Sequence, residues 1–193
     1  MPRTKQFNEE EVLRKAMELF WKQGYHATSI QNLVDQLGIN RASLYDTFGG
    51  KDALFEKAFE KYVRDYSAQV IAQLSRHESV RRALEDFFLS EARAAARDKD
   101  HKGCFVVNTT TEFVPNSEEW AQRITRQRKA MEHLFLQYLQ RAVEQGEIPP
   151  GKDLPALAAY LFTFYNGLKV VSKANDSEEE LCRVVQVALS VLD

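Results

Sequence analysis

Apolar residues recur at intervals of three and four along almost the whole chain, and polar or glycine-rich punctuation cuts that pattern into a succession of helices. The first starts at Asn8, a capping residue, with Glu9, Glu10 and Glu11 at the positive end of the helix dipole and Phe7 placed to staple onto Val12. Its buried stripe is Val12, Leu13, Ala16, Leu19 and Phe20. Gly24 ends it, and Tyr25 folds back by the same stop expected at Gly38. Thr28 reads as the N-cap of a second helix to Leu37, with Gln31 completing a capping box and Ile30, Leu33, Val34 and Leu37 on one face. Gly38 stops it, and Asn40 caps a third, shorter helix to Phe48 whose inward side is Leu44 and Phe48.

From Lys51 an unbroken apolar period predicts one long helix to about Ser75, a stiff connection between the short helices before it and the longer ones after it. A polar break at Ser75–Ser79 precedes a helix from Val80 to about Arg97 with Ala83, Leu84, Phe87, Phe88 and Ala95 inward. Glu91 lies on that same face, either solvated at its rim or as a buried ligand contact. Asp98–Gly103 is a charged loop. Cys104–Phe113 is rich in β-branched residues and reads as a brief helix, because a strand there has no partner. Pro115 stops it, and Asn116 with Glu119 starts a long helix to about Gln145, closed by Gly146 and by Pro149-Pro150-Gly151. Asp153 caps a helix that is apolar nearly all round and therefore needs cover on both sides. The last helix begins at Ser177, with Glu180 at its third position, and carries Leu181, Val184, Val185, Ala188, Leu189 and Leu192. These two final helices read as half of an intersubunit four-helix bundle, the rival being a monomer that buries them itself. The fold class is all-α.

Two short helices joined by a glycine-containing turn make a helix-turn-helix pattern, which is also found as an ordinary helical hairpin. The remaining residues favour DNA. Arg41, Ala42 and Ser43 are small or hydrogen-bonding groups on the exposed first turn of the second helix, suited to base edges. Thr28 and Ser29 open the first helix, where free N–H groups and the dipole attract a phosphate; Tyr45 offers a phenol and Lys51 a point charge.

The run Gly24-Tyr25, Thr28-Ser29-Ile30, Leu37-Gly38-Ile39, Ser43-Leu44-Tyr45, Phe48, Lys51, Leu54 resembles the N-terminal domain of the tetracycline-repressor (TetR) family over about fifty residues. The resemblance implies a three-helix DNA-binding domain, here 1–51, and a larger helical effector-binding and dimerisation domain, 52–193. It implies a homodimer on a pseudo-palindromic double-stranded operator, released when a small-molecule effector enters the C-terminal domain. Asp46 departs from the need for positive charge at a phosphate, and is expected to point elsewhere or to pair with a base such as Arg41.

Composition adjusts this picture. The net charge is −2, and the first 51 residues carry seven bases against six acids, so DNA affinity has to come from placed contacts rather than bulk charge. The polar arm at residues 2–6, with Arg3 and Lys5, is either a minor-groove contact or an unordered tail. No leader-like apolar segment opens the chain, and the uncharged run Leu154 to Leu168 falls short of a membrane span, so a cytoplasmic protein without membrane contact is expected. The four histidines are scattered, no serine sits in a nucleophile elbow, and Phe48-Gly49-Gly50-Lys51 lacks the rest of a phosphate loop; no enzyme, cofactor or metal site is expected. The candidate effector pocket draws on Phe87, Phe88, Glu91, Cys104, Phe105, Asn108, Trp120, Phe162, Tyr165 and Asn166, aromatics and isolated polar groups after Ser79. Cys104 is open to two roles, a small buried hydrophobe or a thiol sensor of the kind some related repressors use, while Cys182 is assigned to packing. The function expected is a ligand-responsive transcriptional regulator, most simply a repressor. The alternative is a helical small-molecule-binding or adaptor protein without DNA binding.

Overall fold

A computed structural model describes residues 7–175 and 177–193, which include no strand; the arm at residues 2–6 lies outside them. The chain divides into two compact units, with the boundary between Asp65 and Tyr66. The first contains α1 (Glu9–Gln23), α2 (Ile30–Leu37), α3 (Arg41–Phe48) and the opening turns of α4 (Lys51–Leu74). The second contains the rest of α4 with α5 (Val80–Ala96), α6 (Phe105–Phe113), α7 (Glu118–Glu144), α8 (Leu154–Val171) and α9 (Glu178–Leu189).

In the first unit α1 starts as its sequence dictates: the Asn8 side chain accepts from the Glu10 and Glu11 N–H groups at 2.9 and 3.2 Å. Its end differs from expectation. Gly24 takes φ 83°, ψ 169°, a positive-φ form open essentially only to glycine, whereas Gly38 takes the left-handed helical form at φ 66°, ψ 28°. The N-cap of α2 is Ser29, one residue later than the periodicity suggested, and Asn32 closes its capping box rather than Gln31. Thr28 is buried: its hydroxyl donates to the Gly24 carbonyl at 2.6 Å and its N–H to Tyr25 O at 3.1 Å. Thr28 thus locks the α1–α2 turn, and this use outcompetes capping.

Helices of eight residues are marginal by themselves, so tertiary burial must hold α2 and α3. Leu33, Leu37, Ile39, Leu44 and Phe48 are all buried, as is Phe20 on α1. Phe20 meets Phe55 edge-on at 5.0 Å, and Tyr25 meets Phe55 at 5.1 Å. Each such side chain contributes about 1.5–3 kcal/mol by leaving water.

The second unit packs α8 chiefly on α7 and α9 on α5 around Phe87, Phe88, Phe135, Leu139 and Leu161. Cys104–Phe113 is helical as expected: Thr109 and Thr110 return their hydroxyls to the carbonyls four residues back, so the β-branched run is accommodated without exposed donors. Pro115 lies in a short 3-10 segment, Val114–Asn116, and α7 is capped by Ser117 rather than Asn116. The turn that closes α7 reaches back to α5: a Glu147 carboxylate oxygen accepts the Arg81 N–H at 2.8 Å, and the Gln145 amide donates to Glu78 O. Helix α8 is long and apolar enough, by length and composition, to cross a membrane, because the apolar run continues past Lys169 to Val171. One side of it packs on α7 and carries the ion pair between Lys169 and Glu91, while Tyr160, Val170 and Val171 are exposed.

Two consequences are measurable. The backbone N–H of Arg81 holds the Glu147 carboxyl below its ordinary range. A depressed carboxyl stabilises the fold fully above its unfolded value, near 4.5, and that contribution disappears as pH falls through the folded value. Glu147→Gln is expected to be less stable than the parent at neutral pH, the gap narrowing as urea unfolding is repeated below pH 4.5. Thr28→Val keeps the volume but orphans the Gly24 carbonyl, and should cost about 1–3 kcal/mol in the same assay.

Candidate functional site

Burial of Leu44 and Phe48 fixes which side of α3 faces outward. Arg41, Ala42, Tyr45 and Asp46 are exposed and Ser43 is half-buried, so the edge expected to read bases is on the surface. The Asn40 carboxamide accepts the Ser43 N–H at 2.8 Å and squares off the start of the helix. Arg41 and Tyr45, one turn apart, lie together: the guanidinium carbon is 6.0 Å from the phenol ring centroid. Asp46 is exposed and makes no ion pair with Arg41 or with any other base among the described residues, which leaves the first of its two expected outcomes, that it points elsewhere.

Beside this edge, Ser29 is exposed at the start of α2, its hydroxyl oxygen accepting the Asn32 N–H at 3.0 Å. That leaves the first N–H groups of α2, at Ile30 and Gln31, as the outward donors of its positive end. Lys51 opens α4 with its ammonium 4.0 Å from the centroid of the Tyr25 ring, and the Tyr25 hydroxyl donates to Asp52. Six of the seven candidate DNA contacts therefore have their side chains at least partly exposed; Thr28 does not, since its hydroxyl is committed inside the fold.

The ten effector-pocket candidates separate in the second unit. Phe87 and Phe88 are packed into the core with Phe135. Trp120 pairs with Phe113 at 4.8 Å under the Arg123 guanidinium, and Phe105 is buried at the start of α6. Phe162 and Asn166 are half-buried along α8. Asn108 ties down the loop before α6, its amide donating to Lys102 O at 2.9 Å and its oxygen accepting from Lys173 at 3.2 Å.

Glu91 and Tyr165, by contrast, come together in a buried polar cluster. Glu91 is 5% exposed, which excludes a solvated rim. Its Oε2 lies 2.5 Å from the Lys169 ammonium, accepts the Tyr66 hydroxyl at 2.9 Å, and lies 3.5 Å from the Tyr165 hydroxyl, which donates to Tyr66 at 2.6 Å. Burial, with the Glu91 charge next, drives the Tyr66 phenol well above its ordinary value, and Cys104 adds to the shift. The sequence candidates include neither Tyr66 nor Lys169. Lys169 is the lone charge of α8, as Glu91 is the lone acid on the apolar face of α5, and two solitary opposite charges on apolar surfaces are the signal that would have paired them. Cys104 is buried at the N-cap of α6 without a side-chain capping bond. A separate cleft of about 150 Å³ lies between α5 and α9, bordered by Arg81, Glu85, Val185 and Gln186; none of the ten lines it.

Comparison with known proteins supplies the family. The profile described as bacterial regulatory proteins, tetR family, matches residues 12–58, and that described as tetracyclin repressor-like, C-terminal domain, matches residues 76–188. The chain is 38% identical over 194 residues to YezE of Bacillus subtilis (strain 168), an uncharacterized HTH-type transcriptional regulator, with 100% of each covered. It is 33% identical over 188 residues to ComR of Escherichia coli (strain K12), an HTH-type transcriptional repressor, covering 97% of this chain and 90% of ComR. Among solved structures, a cysteine-substituted CifR, a TetR family transcriptional regulator complexed with 26-bp double-strand operator DNA, superposes with a TM-score of 0.88 at 27% identity, over 99% of this chain and 100% of that one. With matches across both units and relatives above 30% identity along nearly their whole lengths, the chain belongs to the tetracycline-repressor (TetR) family of helix-turn-helix transcriptional regulators.

Proposed function

We propose that the protein is a cytoplasmic, homodimeric repressor that binds a pseudo-palindromic operator through α3 and releases it when a small-molecule effector enters the second unit. The observation carrying this reading is the outward edge of α3: Arg41, Ala42, Ser43 and Tyr45 are at the surface while Leu44 and Phe48 pin the opposite side. ComR is named a repressor and CifR was solved on operator DNA, which supports the same reading.

In this mechanism Arg41 makes a two-pronged contact to guanine O6 and N7, and Ala42 and Ser43 meet neighbouring base edges. Ser29, with the first N–H groups of α2, holds one phosphate; Tyr45 and Lys51 hold others. Thr28 serves the fold and makes no phosphate contact through its hydroxyl. The reading head extends over 1–51 by function, with α4 beginning at its edge, and the body 52–193 houses the effector and the partner surface.

The homodimer forms through α8 and α9. Their buried residues serve the protomer's own core, yet Tyr160, Val170, Val171, Val184 and Val187 are between 38% and 69% exposed. Five large apolar side chains along two helices are consistent with burial by a second copy. A two-fold pairing places two α3 helices on successive major grooves, about 34 Å apart. Because α4 runs unbroken for 24 residues, it is the element through which an effector in the body alters that spacing.

Gel shifts on the DNA upstream of the protein's own gene test the reading. Arg41→Ala is expected to relax sequence preference at one base pair per half-site, by about 1–3 kcal/mol of discrimination. Lys51→Ala should weaken all sequences alike and reduce the slope of log affinity against log salt by about one per protomer. Retention of operator affinity and preference by both variants would exclude these contacts. Val184→Glu/Val187→Glu should sediment as a folded monomer and lose at least tenfold in operator affinity; a stable dimer would place the partner surface elsewhere.

A further inference from the structure

The Glu91–Lys169 pair is charged, buried and only half satisfied. All of its protein partners converge on one oxygen: Glu91 Oε2 takes Lys169, Tyr66 and Tyr165. Glu91 Oε1 has no hydrogen-bond partner among the described residues, although the Glu91 side chain is 7% exposed. The Lys169 ammonium, with three N–H donors and 11% exposure, has only that same Oε2 as acceptor among the described residues and the Tyr165 ring centroid 5.4 Å away. A purely structural ion pair in an apolar interior is poor design unless its remaining lone pairs and protons are used, since well-packed hydrophobic residues of similar volume serve as well or better. Here an acceptor and a donor, side by side, have no further protein partner among the described residues, and Glu91 Oε1 is not one of the fully enclosed orphan atoms, so it faces space that a small molecule or water can reach.

We propose that Glu91 Oε1 and Lys169 Nζ form the polar anchor of the effector site, and that the effector is a small uncharged molecule presenting a hydrogen-bond donor next to an acceptor, as a carboxamide does. The ligand's N–H or O–H donates to Glu91 Oε1 and its carbonyl or hydroxyl oxygen accepts from Lys169. This deepens the regulatory reading of the protein and rests on it. Charge neutrality selects the class. The buried pair is already balanced, so a lone anion or cation entering it brings an uncompensated charge into the interior, whereas an uncharged donor–acceptor molecule completes both bonding sets.

Entry is by way of the Asp98–Gly103 loop. Gly103 lies against α8 at the Lys169 carbonyl, where an added β-carbon would be 3.0 Å from that oxygen. The loop is drawn to α6 and α8 by the Lys102 carbonyl on Asn108 and by Asn108 on Lys173. Cys104, the next residue, is buried at the start of α6. The loop end is therefore next to the cluster, and its opening supplies the room. Tyr66 sits on α4 itself, so any ligand that re-forms the Tyr165–Tyr66–Glu91 chain acts on the helix that continues to the reading head.

The probes are acetamide, acetate and methylammonium, matched in size and differing in charge, titrated into the full chain while the Tyr66 and Tyr165 ring resonances are followed by NMR. Acetamide is expected to shift both in a saturable manner at concentrations where the two ions shift neither. Glu91→Met/Lys169→Met removes both charges together and is expected to keep its helical circular dichroism while binding acetamide at least tenfold more weakly. Acetate or methylammonium moving these resonances at equal or lower concentration, a folded double variant that binds acetamide like the parent, or no saturable shift with any probe would each overturn the assignment. A parallel gel shift without probe keeps the two readings apart: loss of all operator binding by the parent chain would sink the regulatory reading, and the NMR result would stand by itself.

Discussion

The first unit depends on one constraint, that two helices of eight residues have no stability of their own and exist only because one side of each is buried. Leu33 and Leu37 on α2 and Leu44 and Phe48 on α3 supply that side, and the aromatic contacts of Phe20, Tyr25 and Phe55 build the surface they rest on. Because burial decides which side is inward, it also decides which side is outward. The polar edge of α3 is thus positioned by residues that never meet solvent, and a core change at Leu44 would misplace Arg41 as surely as a change at Arg41 would remove it. The caps refine this by fixing where each helix begins: Asn40 holds the Ser43 N–H and so sets the first turn on which Arg41, Ala42 and Ser43 stand.

The second unit solves a different problem. It has apolar surface in excess on α8 and α9 and a pair of charges in the middle of a core. Neither helps a small monomer. Exposed valines at 51% to 69% gain nothing from water, and the attraction within a buried ion pair rarely offsets its desolvation. Both make sense if stability was traded for association and recognition: the valines for a second copy, the ion pair for a ligand. The core between them is ordinary. Phe87, Phe88 and Phe135 interlock with no polar atom among them, and Phe87 also stacks on the Tyr165 ring of the polar cluster at 6.0 Å.

Most of the architecture was legible because helix periodicity and breakers are local properties. Glu9 to Glu11, Gly38, Asp153 and Ser177 each mark a boundary by chemistry that acts within one turn. The errors came where two local solutions compete. Thr28 and Ser29 are both good caps, and only the third dimension reveals that Thr28 is needed on the Gly24 carbonyl, which passes the cap to its neighbour. Asn116 and Ser117 pose the same choice, and a 3-10 turn at Pro115 shifts the answer by one. In the candidate site, the outward side of α3 was readable since exposure follows from the helix period. The buried polar cluster was not: a ring on an apolar stripe looks the same whether it packs or lines a pocket, and the partner of Glu91 is Lys169, 78 positions away in sequence.

Under the proposed function, the near-neutral charge of the chain then bears on how a ligand would achieve release. A strongly basic reading head would remain on DNA through its sequence-independent attraction to phosphates even after α3 lost its register. With a net charge of −2 and an unpaired Asp46 at the edge of the reading surface, that background attraction is weak. Affinity under the proposed function is then concentrated in a few stereospecific contacts, each of which requires two α3 helices at the groove spacing simultaneously. A small change in that spacing removes base and phosphate contacts together, leaving little nonspecific binding to oppose dissociation. Under the proposed function, the same scarcity of positive charge that makes the protein look like a poor DNA binder by composition is what would let a modest ligand, completing two hydrogen bonds on a buried ion pair, switch it.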